Sequence, residues 1–597
     1  MSDWDVESGE PAGAWRLRPV ILATIGGIAA ILIQQLIDRP YGYSRPSLEI
    51  WRIAVSIAIG TGAVAFGFGM ERVRLLWAVG FALLAGAVAG LIFYWNGGND
   101  GWADIGDWRY ASLFLAIAIA VPLFQTARDE AAWRFPYRDV HGHAWTNVVL
   151  WFACWAFVGV VFALAWLLSA LFDLIGLHFV RELLERDWFA AGLVGAAFGG
   201  ALGLFRERDR VVRLLQRVVT AVLGVLAPVL GVGLLLFLLA LPFTGLGALW
   251  QATKATTPIL LSCAIGALIL ANAVIGNGED EEATNPVLRW GAMALGLAIL
   301  PLCVIAAIAT GLRIGQYGFT PDRLWALVFV ILATAYGVAY LVALLRGRQG
   351  WATRVRPANL HLAFIVTGVA LFLATPLLSF NAISVRDQVA RLESGSIAPE
   401  KFDWAALAFD FGDPGKAALK RLAASKNSAI ADRAKRSSLA DARYKANDID
   451  RVVKEMAELD RHLRVLPAGG IVPDALKTRL IDWRGCDTSR TDACTLLYAV
   501  GDTSAVLLKD NCVRRIAEEP PAQGTGSKVV SLKESCVTRY RLTGAMWQVV
   551  GEGDIPRPDA AGRAALEAAL AAGRIEIRTV PRRQVFVGDV PVGEPFE

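Results

Sequence analysis

Long apolar runs alternate with short polar connectors through the first 378 residues, after which the chain turns polar. A helix needs about 20 consecutive apolar residues to cross the hydrocarbon core of a bilayer. Eleven runs approach or exceed that length: Arg18–Ile37, Trp51–Met70, Leu75–Trp95, Trp108–Thr126, Trp145–Phe172, Trp188–Phe205, Val218–Leu241, Thr256–Ile275, Val287–Ile308, Leu324–Leu345 and Ala358–Leu378. The first ends in QQLIDRP and lacks a small-x-small cleavage site, which predicts a retained anchor rather than a signal peptide. From Ser384 to about Asp482, segments such as VRDQVARLES and IDRVVKEMAELDRHLRVL repeat apolar residues every three or four positions, which predicts short antiparallel helices. After Trp483 the period falls to two in CTLLYAV, SAVLLKD, KVVSLKES, TRYRLTG and MWQVVG, which predicts strands. A helix is expected over Asp559–Ala572, followed by the strand-like IEIRTVP and QVFVGDV.

The predicted architecture is an α-helical polytopic membrane bundle of about 11 transmembrane helices over 18–378, preceded by a disordered cytoplasmic N-terminus over 1–17. A helical periplasmic segment over 379–482 and a small α+β domain over 483–597, mainly antiparallel sheet, follow. Composition supports the class: 55% of residues are hydrophobic, 19% are charged and mean hydropathy is +0.46, far more apolar than a soluble chain requires. The net charge of +5 comes mostly from arginines in short loops, so it reads as a topology signal and not as a nucleic-acid surface. With the N-terminus inside, inner segments hold 17 Lys and Arg against nine in outer segments. That bias, with an odd number of spans, places everything after Leu378 outside, which for a bacterial inner membrane is the periplasm.

Cysteine usage fits this topology. Cys154, Cys263 and Cys303 lie in apolar spans, whereas Cys486, Cys494, Cys512 and Cys536 fall in the polar C-terminal part. Four cysteines in an oxidising compartment predict two disulfides, with pairing of sequence neighbours favoured among three connectivities. A zinc site is the rival, but 7, 17 and 23 intervening residues do not match zinc knuckles. No metal and no cofactor are expected.

Ionisable side chains are nearly missing from span interiors, which disfavours proton or sodium coupling. The polar exceptions, Gln34, Gln35, Asn272, Tyr336 and Tyr340, are expected to make helix-to-helix hydrogen bonds, with Asp173 and His361 near span ends. Gly195, Gly199 and Gly203 share one helical face, and Gly86 and Gly90 repeat the pattern, so both faces are expected to admit close helix packing. Gly60 and Gly62 imitate a dinucleotide fingerprint but lie in an apolar span with no preceding strand. His141 and His143 in HGH lack a third ligand and are expected to be solvated loop residues. Asp38, opening the first outer loop, is a weak candidate for a catalytic base. Walker, GxSxG and HExxH motifs are not found.

Two connectors carry more aromatic, glycine and threonine residues than a turn requires: LPFTGLGALWQATKATT and GLRIGQYGFTPDRLWAL. Together with HFVRELLERDWF and NAISVRDQVARLESGSIAPEKFDWAALAFDFGDPGKAALKRL, and in the same order, they resemble the characteristic stretches of bacterial multi-pass membrane proteins of the domain of unknown function 4153 family. The resemblance covers roughly residues 140 to 425, implies the same membrane fold and carries no activity. Phe243, Thr244, Gly245, Trp250, Tyr317, Gly318, Pro321 and Arg323 are expected to form an outer-loop platform on which the helical segment after Leu378 docks. Thr320 before Pro321 fits a helix cap.

Three functions fit this reading. The first is a scaffold presenting a disulfide-stapled periplasmic domain to cell-envelope partners or to a second copy. The second is a permease for a neutral or lipid-like substrate. The third is a transferase acting on lipid-linked precursors. Membrane lipids are the expected partners in all three, and no nucleic acid is expected.

Overall fold

The structure, a computed structural model, describes residues 15–38, 49–96, 108–252, 255–440, 443, 449–468, 470–482, 486, 494–509, 537–543, 546–553, 565, 568–569, 572, 583–587 and 590–596. The chain divides into two units, Met1–Ser396 and Ile397–Glu597.

The first unit is helical: α1 (Arg18–Ile37), α2 (Ile50–Gly69), α3 (Leu75–Asn96), α4 (Trp108–Glu130), α5 (Tyr137–Leu174), α6 (Phe179–Leu184), α7 (Asp187–Arg206), α8 (Asp209–Ala252), α9 (Thr256–Ile275), α10 (Pro286–Tyr317), α11 (Pro321–Gly347), α12 (Ala352–Ala374) and α13 (Phe380–Glu393). Among the described residues, all of these except the short α6 and the polar α13 are long and apolar enough to cross a membrane, eleven in number. Their perimeter is apolar: Leu76 is 83% exposed and Phe152 69%, side chains that only a hydrocarbon environment tolerates in such number. Helices α5 and α10 run beyond the apolar runs, because a helix need not end where the hydrocarbon does.

Glycines determine how closely the spans approach. A side chain at Gly195 would collide with the Gly26 carbonyl of α1, one at Gly199 with the Leu22 carbonyl, and one at Gly203 with Pro19, so this face joins α7 to α1. Gly86 and Gly90 meet the Ala58 and Ala54 carbonyls in the same way, joining α3 to α2. With no directional solvent drive inside lipid, such backbone approach and its dispersion contacts supply much of the association.

Contacts between helix ends sort them into two faces. At one face, Arg18 of α1 pairs with Glu71 after α2 and, at 3.1 Å, with Glu207 after α7. Also there, Arg206 at the end of α7 donates to the Gly67 carbonyl at 2.8 Å, and Arg128 near the end of α4 donates to Gly69 O at 2.6 Å. Arg356, in the second turn of α12, donates to Ile275 O at 2.6 Å and Gly278 O at 3.0 Å, and meets Glu282 at 3.0 Å. The last carbonyls of a helix have no intrahelical partner; these buried arginines satisfy them at the ends of α2 and α9 and complement the negative end of the helix dipole. At the opposite face Arg52 of α2 reaches Gln35 O of α1 at 3.2 Å, Arg109 of α4 reaches Asn96 Oδ1 of α3 at 2.6 Å, and Asn96 Nδ2 reaches Ala374 O of α12 at 3.1 Å. The bundle thus begins on one face and ends on the other.

The second unit opens with a π-helical turn (Ala406–Asp410) and helices α14 (Gly412–Leu422) and α15 (Ser428–Leu439), packed around Trp404, Leu407, Leu419 and Ala434. Arg443 grips the turn through Asp410, with Nε to Oδ1 at 3.0 Å and Nη2 to Oδ2 at 2.7 Å. Further on, a five-stranded sheet is ordered β1 (Leu463–Leu466), β2 (Cys494–Leu497), β3 (Ser504–Lys509), β4 (Val537–Thr543) and β5 (Met546–Gly553). The β1–β2 pair is parallel and the other pairs antiparallel. Leu459, Leu476 and Leu480, from helices Ile449–His462 and Asp474–Asp482, share a core with Leu496, Leu507, Tyr540 and Trp547 of the sheet. A disulfide joins Cys486 to Cys494 at the start of β2. Cys512, Cys536, the KVVSLKES strand and most of the Asp559–Ala572 helix lie outside the described residues. The QVFVGDV segment falls in a hairpin of β6 (Arg583–Val587) and β7 (Val590–Phe596).

Candidate functional site

Between the spans lies a cavity of about 800 Å³, lined by α2, α4, α5, α9, α11 and α12. Most of its wall is aliphatic or aromatic: Val64, Phe68, Ile117, Val121, Trp151 and Leu268 are typical. It reaches the perimeter near Phe152, Val148 and Phe114, all exposed, so it is open to the surroundings of the bundle and not sealed within it.

One wall is polar and uncharged. Asn272 of α9 donates from Nδ2 to Tyr340 Oη of α11 at 2.8 Å, and Asn359 of α12 donates to Asn272 Oδ1 at 2.7 Å and Tyr340 Oη at 3.2 Å. Tyr340 is fully buried behind this wall, while Asn272, Asn359, Tyr336 and Tyr137 line the cavity. Asn147 of α5 and Gln125 of α4 exchange hydrogen bonds at 2.8 and 3.2 Å, and Gln125 Nε2 also reaches Phe68 O at 2.8 Å. His141 of α5 accepts from Trp145 Nε1–H at 3.1 Å. An indole N–H can only donate, so the accepting Nε2 holds the lone pair and the proton of the neutral imidazole sits on Nδ1.

The sequence singled out Asn272, Tyr336 and Tyr340 as polar letters in apolar runs, and the structure brings all three to this wall. Tyr137, Asn147 and Asn359 were missed. The expectation that HGH is a solvated loop is corrected: α5 begins at Tyr137 behind Pro136, so His141 faces the cavity, and His143 approaches Asp129 at 3.1 Å. Sequence hydropathy set the start of this span at Trp145 because YRDVHGHA is polar, although nothing in it breaks a helix.

The remaining candidates lie elsewhere. Asp38 is exposed at the C-terminal end of α1, at the face opposite Arg18, and does not line the cavity. Asp173 holds His178 Nδ1 at 2.8 Å and also Arg181, fastening α6 to the end of α5. Gly318, at φ +75°, turns the chain between α10 and α11, and α13 lies against that turn. Phe319 N–H donates to Asp387 Oδ2 at 2.8 Å, Gln388 Nε2 donates to Tyr317 O and Phe319 O at 2.9 Å, and Arg391 donates to Gln316 O at 2.9 Å. Arg323 donates to Gly318 O at 2.7 Å and stacks over the Tyr317 ring, while Thr320 caps α11 before Pro321. The other connector behaves differently. Gly245 breaks α8 with φ 72°, Phe243 and Thr244 beside it are exposed, Phe243 by 90%, and the Trp250 side chain lies outside the described residues. Among the described residues no group of three His, Cys, Asp or Glu side chains is placed to hold a metal ion.

Neither a curated protein nor a solved structure matches the chain. A family described as a domain of unknown function (DUF4153) matches residues 53–409, from α2 through the bundle and α13 into the π-helical turn. The match starts well before the region of resemblance read from the sequence and takes in α2 and α4, whose side chains form one side of the cavity. The chain therefore belongs to the DUF4153 family of domains of unknown function, as a multi-pass membrane protein.

Proposed function

We propose that this protein takes an uncharged, lipid-like molecule from the bilayer into the cavity beside α5, as a permease or lipid-handling protein. The observation that carries the reading is the cavity itself: about 800 Å³ of mainly apolar space, open toward the perimeter and ending on a wall of neutral hydrogen-bonding groups. Pockets of this size, apolar with a few convergent polar groups, are the usual form of small-molecule sites. Among the described residues no Lys, Arg, Asp or Glu lines it, so an ion would enter without compensation, whereas a neutral amphiphile matches both surfaces.

Native mass spectrometry of the full chain released from membranes tests this. Ala144 lines the cavity on α5, and Ala144→Trp should fill the space beneath that helix. The wild type should retain a neutral lipid that the variant loses; equal retention by both would count against the reading.

The Cys486–Cys494 disulfide favours a second element of the proposal, that the C-terminal unit lies in an oxidising compartment outside the inner membrane and is presented there to envelope partners. Consistent with this, the arginine-rich loops fall at the face where α1 begins, as a cytoplasmic face would have them.

A further inference from the structure

We infer that the cavity takes a two-chained, uncharged lipid whose head carries hydrogen-bond acceptors, the diacylglycerol class, with one chain on each flank of α5. This rests on the lipid-handling reading above and narrows it.

The first ground is a second space of about 680 Å³ on the other flank of α5, lined by that helix, α8 and α9. Its wall is apolar except for His141, Trp145 and Asn272. The two spaces share His141 and Ala144 of α5 and Leu268 and Asn272 of α9 in their walls. Together they form a two-armed cleft with its polar groups at the junction, a shape that one chain would half fill.

The second ground is the hydrogen-bond inventory of that junction. Its acceptors are used: Asn272 Oδ1 takes Asn359 Nδ2 and Asn147 Oδ1 takes Gln125 Nε2. Asn359 Oδ1 has no partner but is closed off from the open space. Three of its donors are not used. The Tyr336 hydroxyl, the Tyr137 hydroxyl proton and the His141 Nδ1–H have no acceptor among the described residues, although Tyr137 Oη accepts from Asn359 at 3.5 Å. These side chains are half-buried and line the open space; donors facing an apolar cavity call for acceptors, so the occupant brings them, and ester carbonyls at the root of two acyl chains do so without charge.

The test is tryptophan quenching by bromine-labelled lipids in mixed micelles of the full chain. Trp151 reports the first arm, by difference from Trp151→Phe, and Val219→Trp adds a reporter to the second. Di(dibromostearoyl)glycerol should quench both reporters at one half-saturating concentration. It should bind about tenfold more tightly than its dialkyl ether analogue, the worth of about two neutral hydrogen bonds. Tyr137→Phe/Tyr336→Phe should erase that margin. Equal binding of the ester, the ether and a brominated phosphatidylglycerol would overturn the assigned head chemistry while leaving lipid binding intact. Quenching of one reporter alone would overturn the two-chain assignment. A wild type that no lipid quenches would remove this inference and the proposed function together.

Discussion

Arg356 shows how single side chains hold this bundle. Its side chain is 9% exposed, and the guanidinium closes the C-terminal end of α9 through Ile275 O, Gly278 O and the Glu282 carboxylate. Replacing it by Met leaves that carboxylate with Arg289 at 3.5 Å and the Ile275 carbonyl without its donor, a loss on the order of 1–3 kcal/mol. Arg356→Met should lower the thermal unfolding midpoint of the purified protein, and Arg356→Met/Glu282→Gln should recover part of the loss. Gly318 is a second such point. A β-carbon there would lie 2.5 Å from Asp387 Oδ2 and 2.7 Å from Gln388 Nε2, on a backbone at φ +75°. Gly318→Ala should cost about 1–3 kcal/mol and expose α13 to limited proteolysis at Arg386 and Arg391. At this scale the sequence was only partly legible. Asn272, Tyr336 and Tyr340 stand out because a polar residue deep in an apolar run needs a partner. Tyr137 and Asn359 do not, because polar residues are expected at span ends.

Elements were more legible than residues, for a physical reason: hydrocarbon thickness sets a minimum apolar length, and all eleven runs exceed it or come close. What hydropathy does not register is helix outside hydrocarbon, so α6 and the polar first turns of α5 were not read. Strand β1 was also lost, since LRVL continues the apolar period of the helix before it and becomes a strand only by pairing with Cys494–Leu497, distant in sequence. The glycine faces of α7 and α3 were readable as contact surfaces, but their partners α1 and α2 were not. Gly199→Val should force α1 from α7 at the Leu22 carbonyl and cost about 1–3 kcal/mol, the usual range for overpacking, seen as a lower unfolding midpoint. In the C-terminal unit, Cys486→Ser should remove about 2–4 kcal/mol from a core that includes both cysteines. Protease sensitivity should rise in that unit while the bundle stays resistant.

At the scale of the whole molecule, contacts between helix ends place the start of α1 and the end of α12 on opposite faces of the bundle, and the proposed topology turns that into a labelling prediction. An impermeant thiol reagent applied to intact cells should label a cysteine at Lys426 and spare one at Val73, which is 64% exposed in the α2–α3 loop. The reverse pattern would invert the assigned orientation. The cavity adds the functional claim, which no single stretch of sequence displays because six helices build it. Its most direct test is photocrosslinking of a diacylglycerol carrying a diazirine in one chain to the full protein in native membranes, with adducts mapped by mass spectrometry. Adducts at Leu268, Val148 and Phe152, lost when Ala144→Trp fills the cleft, are the predicted result. Adducts confined to perimeter residues such as Leu76 and Phe243, and unchanged by that substitution, would contradict it.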